Sequence, residues 1–132
     1  MMIHHTGYLV KRIEEAVKSF EKLGYKVELP ITSDNTRDIY ICFMTLGEYR
    51  IELIQPTGQQ SPIFGLMKRH KNSPYHICYE TTEFDKTVEK LIDDGFSMFN
   101  PPAPAPAIGD RRVAFFVGSE IGMFEILEGE RI

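Results

Sequence analysis

The spacing of apolar positions changes several times along this chain, and each change marks an element. Residues 3–10 alternate, with His5, Gly7 and Leu9 on one side and Thr6, Tyr8 and Val10 on the other, the period of a strand. Over 12–23 the period lengthens: Ile13, Ala16, Val17, Phe20 and Leu23 make one helical stripe. Glu14 and Glu15 suit the first turn of that helix, Lys22 the last, and Gly24 its left-handed end. Tyr25 to Leu29 reads as a short strand stopped by Pro30, and 32–38 as a polar loop. Residues 39–46 and 49–54 form a hairpin around the turn Gly47-Glu48. Ser61 and Pro62 open a short helix as N-cap and first helical residue, and it runs to about His70.

Beyond a link at 71–74 comes a strand at 75–80, then a helix at about 83–94 with Phe84, Val88, Leu91 and Ile92 as its buried stripe. Thr82 is its expected N-cap, in a near capping box with Asp85. A short strand follows at 96–99. Pro101 to Pro106 reads as an extended, proline-rich loop, a rigid connector or a lid. Residues 113–117 and 123–127 are the last two strands.

This order is a repeat. His5 lies 19 positions before Gly24, and His76 lies 19 before Gly95. Within that frame Tyr8 matches Tyr79, Ile13 matches Phe84, Val17 matches Val88 and Phe20 matches Leu91. The second halves match through Phe43 and Phe116, each 9 positions before a glutamate, Glu52 and Glu125. One domain of residues 1–132 is expected, from modules at about 1–60 and 72–132 joined by the short helix 61–71. Each module reads strand, helix, three strands.

Composition narrows the function. The length of 132 residues allows one domain with a real core. The net charge of -4 comes without a basic stripe, which argues against nucleic acid. No apolar run is long enough for a membrane span, and no signal-peptide layout opens the chain. Cys42 and Cys78 sit inside apolar runs, as reduced buried thiols of a cytoplasmic protein would.

The repeat gives chemistry to four residues. Each module carries one histidine on its first strand and one glutamate on its last: His5, Glu52, His76 and Glu125. A strand His alone is usually structural and a strand Glu alone usually faces water. Four at equivalent places form a candidate ligand set for one divalent ion, and imidazole with carboxylate suits nickel, cobalt, manganese, iron or zinc. Without a thiolate, a structural zinc site is disfavoured. Four protein ligands leave positions for water or a substrate oxygen.

These residues resemble the vicinal oxygen chelate superfamily along nearly the whole chain. His5 in His-Thr-Gly-Tyr-Leu-Val matches its first ligand, Glu52 in Ile-Glu-Leu-Ile-Gln-Pro the second, His76 in His-Ile-Cys-Tyr-Glu the third and Glu125 in Phe-Glu-Ile-Leu-Glu the fourth. The resemblance implies an α+β fold of two βαβββ modules, a cupped mixed sheet around a metal with the helices packed outside. It implies an isomerase that removes a proton next to a carbonyl, through an enolate or enediolate, with Glu125 or Glu52 as base and Glu125 preferred.

Two branches fit. The segment from Glu52 to Ile63 followed by Tyr75-His-Ile-Cys is similar to methylmalonyl-CoA epimerases, and this favours a thioester substrate. The His-Glu-His-Glu set is equally similar to bacterial glyoxalase I, a lactoylglutathione lyase acting on a thiol–methylglyoxal hemithioacetal. Leu9 stands where glutathione-using glyoxalases carry an arginine, and the epimerases' second base falls near Tyr40. A metal-free binding or resistance module of the same fold is the rival of another class, and such modules usually lack the four ligands. Iron dioxygenases use two His and one carboxylate, so the fourth ligand disfavours them. The edges and apolar helix faces of such a sheet predict a homodimer.

Overall fold

The computed structural model describes residues 1–61 and 63–130. Among them are β1 (Met2–Leu9), α1 (Ile13–Lys22), β2 (Lys26–Asp34), β3 (Ile39–Leu46), β4 (Tyr49–Pro56), α2 (Phe64–His70), β5 (Ser73–Thr81), α3 (Phe84–Asp93), β6 (Ser97–Met98), β7 (Ala103–Ala105), β8 (Arg111–Gly118) and β9 (Gly122–Glu128). They form two compact units, His5–Tyr75 and Met1–His4 with His76–Ile132.

In the unit His5–Tyr75 the strand order is β2-β3-β4-β1. The β2–β3 and β3–β4 ladders are antiparallel, and β1 runs parallel to β4. α1 covers one face. Its Ile13, Ala16, Val17 and Phe20 pack with Val10, Cys42, Met44, Ile51 and Leu53. The other face carries the alternate residues, among them His5, Leu9, Phe43, Glu52 and Ile54, all buried.

The unit containing His76 repeats this plan. β5 is parallel to β9, β8 is antiparallel to β9, and β6 and β7 both pair with β8. α3 sets Phe84 and Val88 against Ala114, Phe116, Phe124 and Ile126. Phe116 stacks on Phe124 with ring centroids 5.6 Å apart. The opposite face gathers Cys78, Val113 and Leu127 beside Ala105. Gly24 and Gly95, which follow the C-caps of α1 and α3, hold φ of 101° and 97°, a region glycine enters without strain.

Several expectations from the sequence need correction. β2 does not stop at Pro30 but runs on to Asp34, with register shifts on either side of Leu29. Among the described residues it pairs only with β3, so it is an edge strand, where a residue without an N–H is tolerated. The stretch from Pro101 to Pro106 is not all loop: Ala103–Ala105 pairs with β8, again on an outer ladder, and a 3-10 turn spans Pro106–Ile108. β6 and β7 together occupy the place that β2 holds in the other unit.

The helix starts differ as well. α3 is not capped by Thr82. Thr81 Oγ1 instead accepts the Glu83 N–H at 3.1 Å, and Glu83 precedes the first helical residue. α2 begins at Phe64, and the Ser61 hydroxyl turns to the Arg37 carbonyl at 3.4 Å rather than to the helix. Pro62, the expected first helical residue, lies outside the described residues. No helix among the described residues is long and apolar enough to cross a membrane.

Candidate metal centre

Each unit holds one of the two His–Glu pairs, built the same way. In the unit His5–Tyr75 the parallel ladder pairs Gly7 with Glu52, two residues past His5. In the other unit it pairs Cys78 with Glu125, two residues past His76. A strand advances one side-chain repeat every two residues, so each histidine and its glutamate share a face and lie one repeat apart. His5 Nε2 stands 3.3 Å from Glu52 Oε1, and His76 Nε2 stands 3.2 Å from Glu125 Oε1. All four residues are buried, His5 at 1% exposure and His76, Glu52 and Glu125 at 4%, 7% and 4%.

A phenylalanine walls each pair. Phe43 is the β3 partner of Glu52, and its ring meets His5 edge-on at 5.4 Å. Phe115 is the β8 partner of Glu125 and meets His76 edge-on at 5.3 Å. The counterpart of Phe43 is therefore Phe115, and the match to Phe116 drawn from the 9-residue spacing is corrected. Leu46 pairs with Tyr49 across a two-residue turn, whereas Gly118 pairs with Gly122 across three residues. The longer turn shifts every β8 position by one, which sends Phe116 to the α3 side.

The donors fit a divalent ion. Each pair offers one imidazole nitrogen and one carboxylate oxygen, both buried, donors that nickel, cobalt, manganese, iron and zinc accept. Burying a carboxylate beside aromatic rings is costly unless a cation or hydrogen bonds compensate it. In each pair Nε2 is the imidazole nitrogen turned to the glutamate.

Tyr40, near which the second base of the epimerases was expected, faces the other way. It pairs with Gln55, on the side of the sheet that carries α1, while Ile39 and Ile41 take the Glu52 face. Leu9 is fully buried on the Glu52 face and offers no cation. Two polar contacts of β4 were not legible in the sequence. Gln55 Oε1 accepts the Ile13 N–H at 2.8 Å, the capping bond at the start of α1. Arg50, two residues before Glu52, grips both carboxylate oxygens of Glu28 at 2.7 and 3.1 Å. A basic residue in alternation with Glu52 was the signal for the second.

Residues 4–115 match the family described as the Glyoxalase/Bleomycin resistance protein/Dioxygenase superfamily. The chain belongs to this superfamily. Among curated members it is similar to the mitochondrial methylmalonyl-CoA epimerase of Bos taurus, 28% identical over 123 residues, covering 91% of this chain and 69% of the bovine protein. It is also similar to the ethylmalonyl-CoA/methylmalonyl-CoA epimerase of Cereibacter sphaeroides, 26% identical over 115 residues, covering 86% of this chain and 85% of that one. The methylmalonyl-CoA epimerase of Mycobacterium tuberculosis shares the fold, with a TM-score of 0.85 at 15% identity over 98% of this chain and 89% of its own. The glyoxalase-like α+β architecture, a mixed sheet with helices outside, is thus that of the superfamily.

Proposed function

We propose that this protein is a metal-dependent isomerase of the methylmalonyl-CoA epimerase type, acting on a carbon flanked by a thioester carbonyl. The observation that carries the proposal is the duplicated, buried His–Glu pair at one ladder position of each module, in a chain whose curated relatives include acyl-CoA epimerases. In this reading His5, Glu52, His76 and Glu125 hold a single divalent ion: nickel, cobalt, manganese or zinc. That ion would supply Lewis acidity toward the carbonyl oxygen, worth several kcal/mol of charge stabilisation.

The chain's own groups do the rest. A carboxylate takes the α-proton as general base, with Glu125 in that role and Glu52 as the alternative. The electron pair of the broken C–H bond moves into the carbonyl, giving a planar enolate. The other carboxylate, in its acid form, returns a proton to the opposite side of the carbon and inverts it, and the base then gives up the proton it took. The apolar surroundings, Phe43, Ile54 and Leu9 on one module and Phe115, Val113 and Leu127 on the other, exclude water and strengthen each electrostatic contact.

Glyoxalase I chemistry runs through a similar enediolate, but the buried Leu9 removes the cation that glutathione would require. The test is direct. Metal-loaded protein is assayed on methylmalonyl-CoA and on methylglyoxal with several thiols. Inversion of the CoA ester is expected. Turnover of the hemithioacetal alone would transfer the protein to the lyase branch, and no turnover and no bound metal would leave a binding module. We also propose a homodimer, and sedimentation as a monomer at tens of micromolar would refute it.

A further inference from the structure

On the sheet face that bears Glu52, one cross-strand row of the unit His5–Tyr75 is basic. Lys26 pairs with Thr45 on β2–β3, and Thr45 pairs with Arg50 on β3–β4, so the three side chains share a face. Arg50 precedes Glu52 by two residues on an unbroken strand, roughly 7 Å away along the chain. In the β1–β4 ladder Thr6 pairs with Ile51, so Arg50 and His5 each immediately precede a residue of that pair. Further along this face the residues are apolar: Phe43, Ile41 and Ile54 are all buried.

The other module lacks this row. Its equivalent positions are Ser97, Val117 and Met123, by the pairs Ser97 with Val117 and Val117 with Met123. The same ladders therefore form without the two cations, so the fold does not require them.

We propose that Arg50, flanked by Lys26 and Thr45, binds an anionic group carried by the substrate, a carboxylate or a phosphate. This rests on the isomerase reading above and names a specificity residue for it. The guanidinium fork is already shaped to a carboxylate, that of Glu28. Glu28 sits at the register shift between Val27 and Leu29 on an edge strand, where the ladder does not hold it. Its side chain is 41% exposed and that of Arg50 29%, so a substrate anion can reach the pair from solvent and exchange with Glu28. Glu28 thus occupies the fork until the substrate's anion arrives.

The experiment compares wild type with Arg50→Met, the residue of the other module, and with Arg50→Lys and Glu28→Gln. Calorimetric binding of methylmalonyl-CoA is measured beside kcat and KM for that ester and for its N-acetylcysteamine analogue, which keeps the carboxylate and lacks every phosphate. Arg50→Met is expected to weaken binding and raise KM about ten-fold or more, the scale of one charged hydrogen bond, with kcat nearly unchanged. Arg50→Lys is expected to recover part of the loss, and Glu28→Gln to lower KM by freeing the fork. A rise on the CoA ester alone identifies a phosphate, and a rise on both esters identifies the acyl carboxylate. Binding and KM unaltered in Arg50→Met and Glu28→Gln overturn the subsite. Arg50-dependent binding without turnover would instead overturn the isomerase reading and leave the subsite standing.

Discussion

Glu125 Oε1 lies 3.2 Å from His76 Nε2, and the two are buried together beneath the Phe115 ring. A carboxylate held this way can coordinate an ion and accept a proton, and the two roles separate on substitution. Glu125→Gln keeps a coordinating oxygen but removes the proton acceptor. It is expected to retain much of the metal and lose at least ~10²-fold in kcat, the usual scale for a positioned general base. Metal content and turnover measured on one preparation check this, and near-normal turnover would move the base role to Glu52.

Removing the ion is expected to abolish turnover while leaving a folded protein. Chelation followed by addition of nickel, cobalt, manganese or zinc should restore it. Because a ligand that binds only the native state stabilises it, the reloaded protein should melt at a higher Tm than the stripped one. His76→Ala should lose both the metal-dependent Tm increment and activity. An identical melting curve with and without metal in wild type would refute a resident ion.

The Gln55–Ile13 bond predicts a stability effect away from the chemistry. Gln55 caps α1 from β4, three residues beyond Glu52, while the preceding Arg12 makes no side-chain cap. Gln55→Ala leaves a helix N-terminal N–H unsatisfied and is expected to cost about 0.5–2 kcal/mol. Gln55→Glu keeps the acceptor and places a negative charge at the helix start, which the helix dipole favours. Thermal unfolding should therefore rank Gln55→Ala below both wild type and Gln55→Glu.

Cys42 is fully buried beneath α1, and burial, helped by the negative charge of Glu21, pushes its thiol from the usual 9.0 up to about 11. Between those values the unfolded chain releases a proton that the folded chain keeps, so stability is intact below about pH 9 and falls toward about pH 11. Urea unfolding across that range should show the loss, and Cys42→Ala should flatten it. At neutral pH the native thiol should resist alkylation and react once the chain is unfolded.

What was legible in the sequence was local or repeated. Periods of two and of three to four residues located β1, α1, β3, β4 and α3, because burial on one side of a strand or helix writes itself into neighbouring residues. The repeat singled out His5, Glu52, His76 and Glu125, since two copies of one plan place equivalent residues at equivalent points. What only the tertiary structure decided depended on partners distant in the chain. The parallel ladders that set Gly7 against Glu52 and Cys78 against Glu125 join strands separated by a helix and two or more further strands, and no local period records their register. The extra residue in the β8–β9 turn moved Phe115, not Phe116, beside the histidine. Pro30 and Pro104 fell within strands because those strands lie on outer ladders, where a missing N–H costs no hydrogen bond. The Glu28 carboxylate reached Arg50 across β3 through a register shift. In each case the deciding energy lies in contacts between residues tens of positions apart, which a linear pattern does not encode.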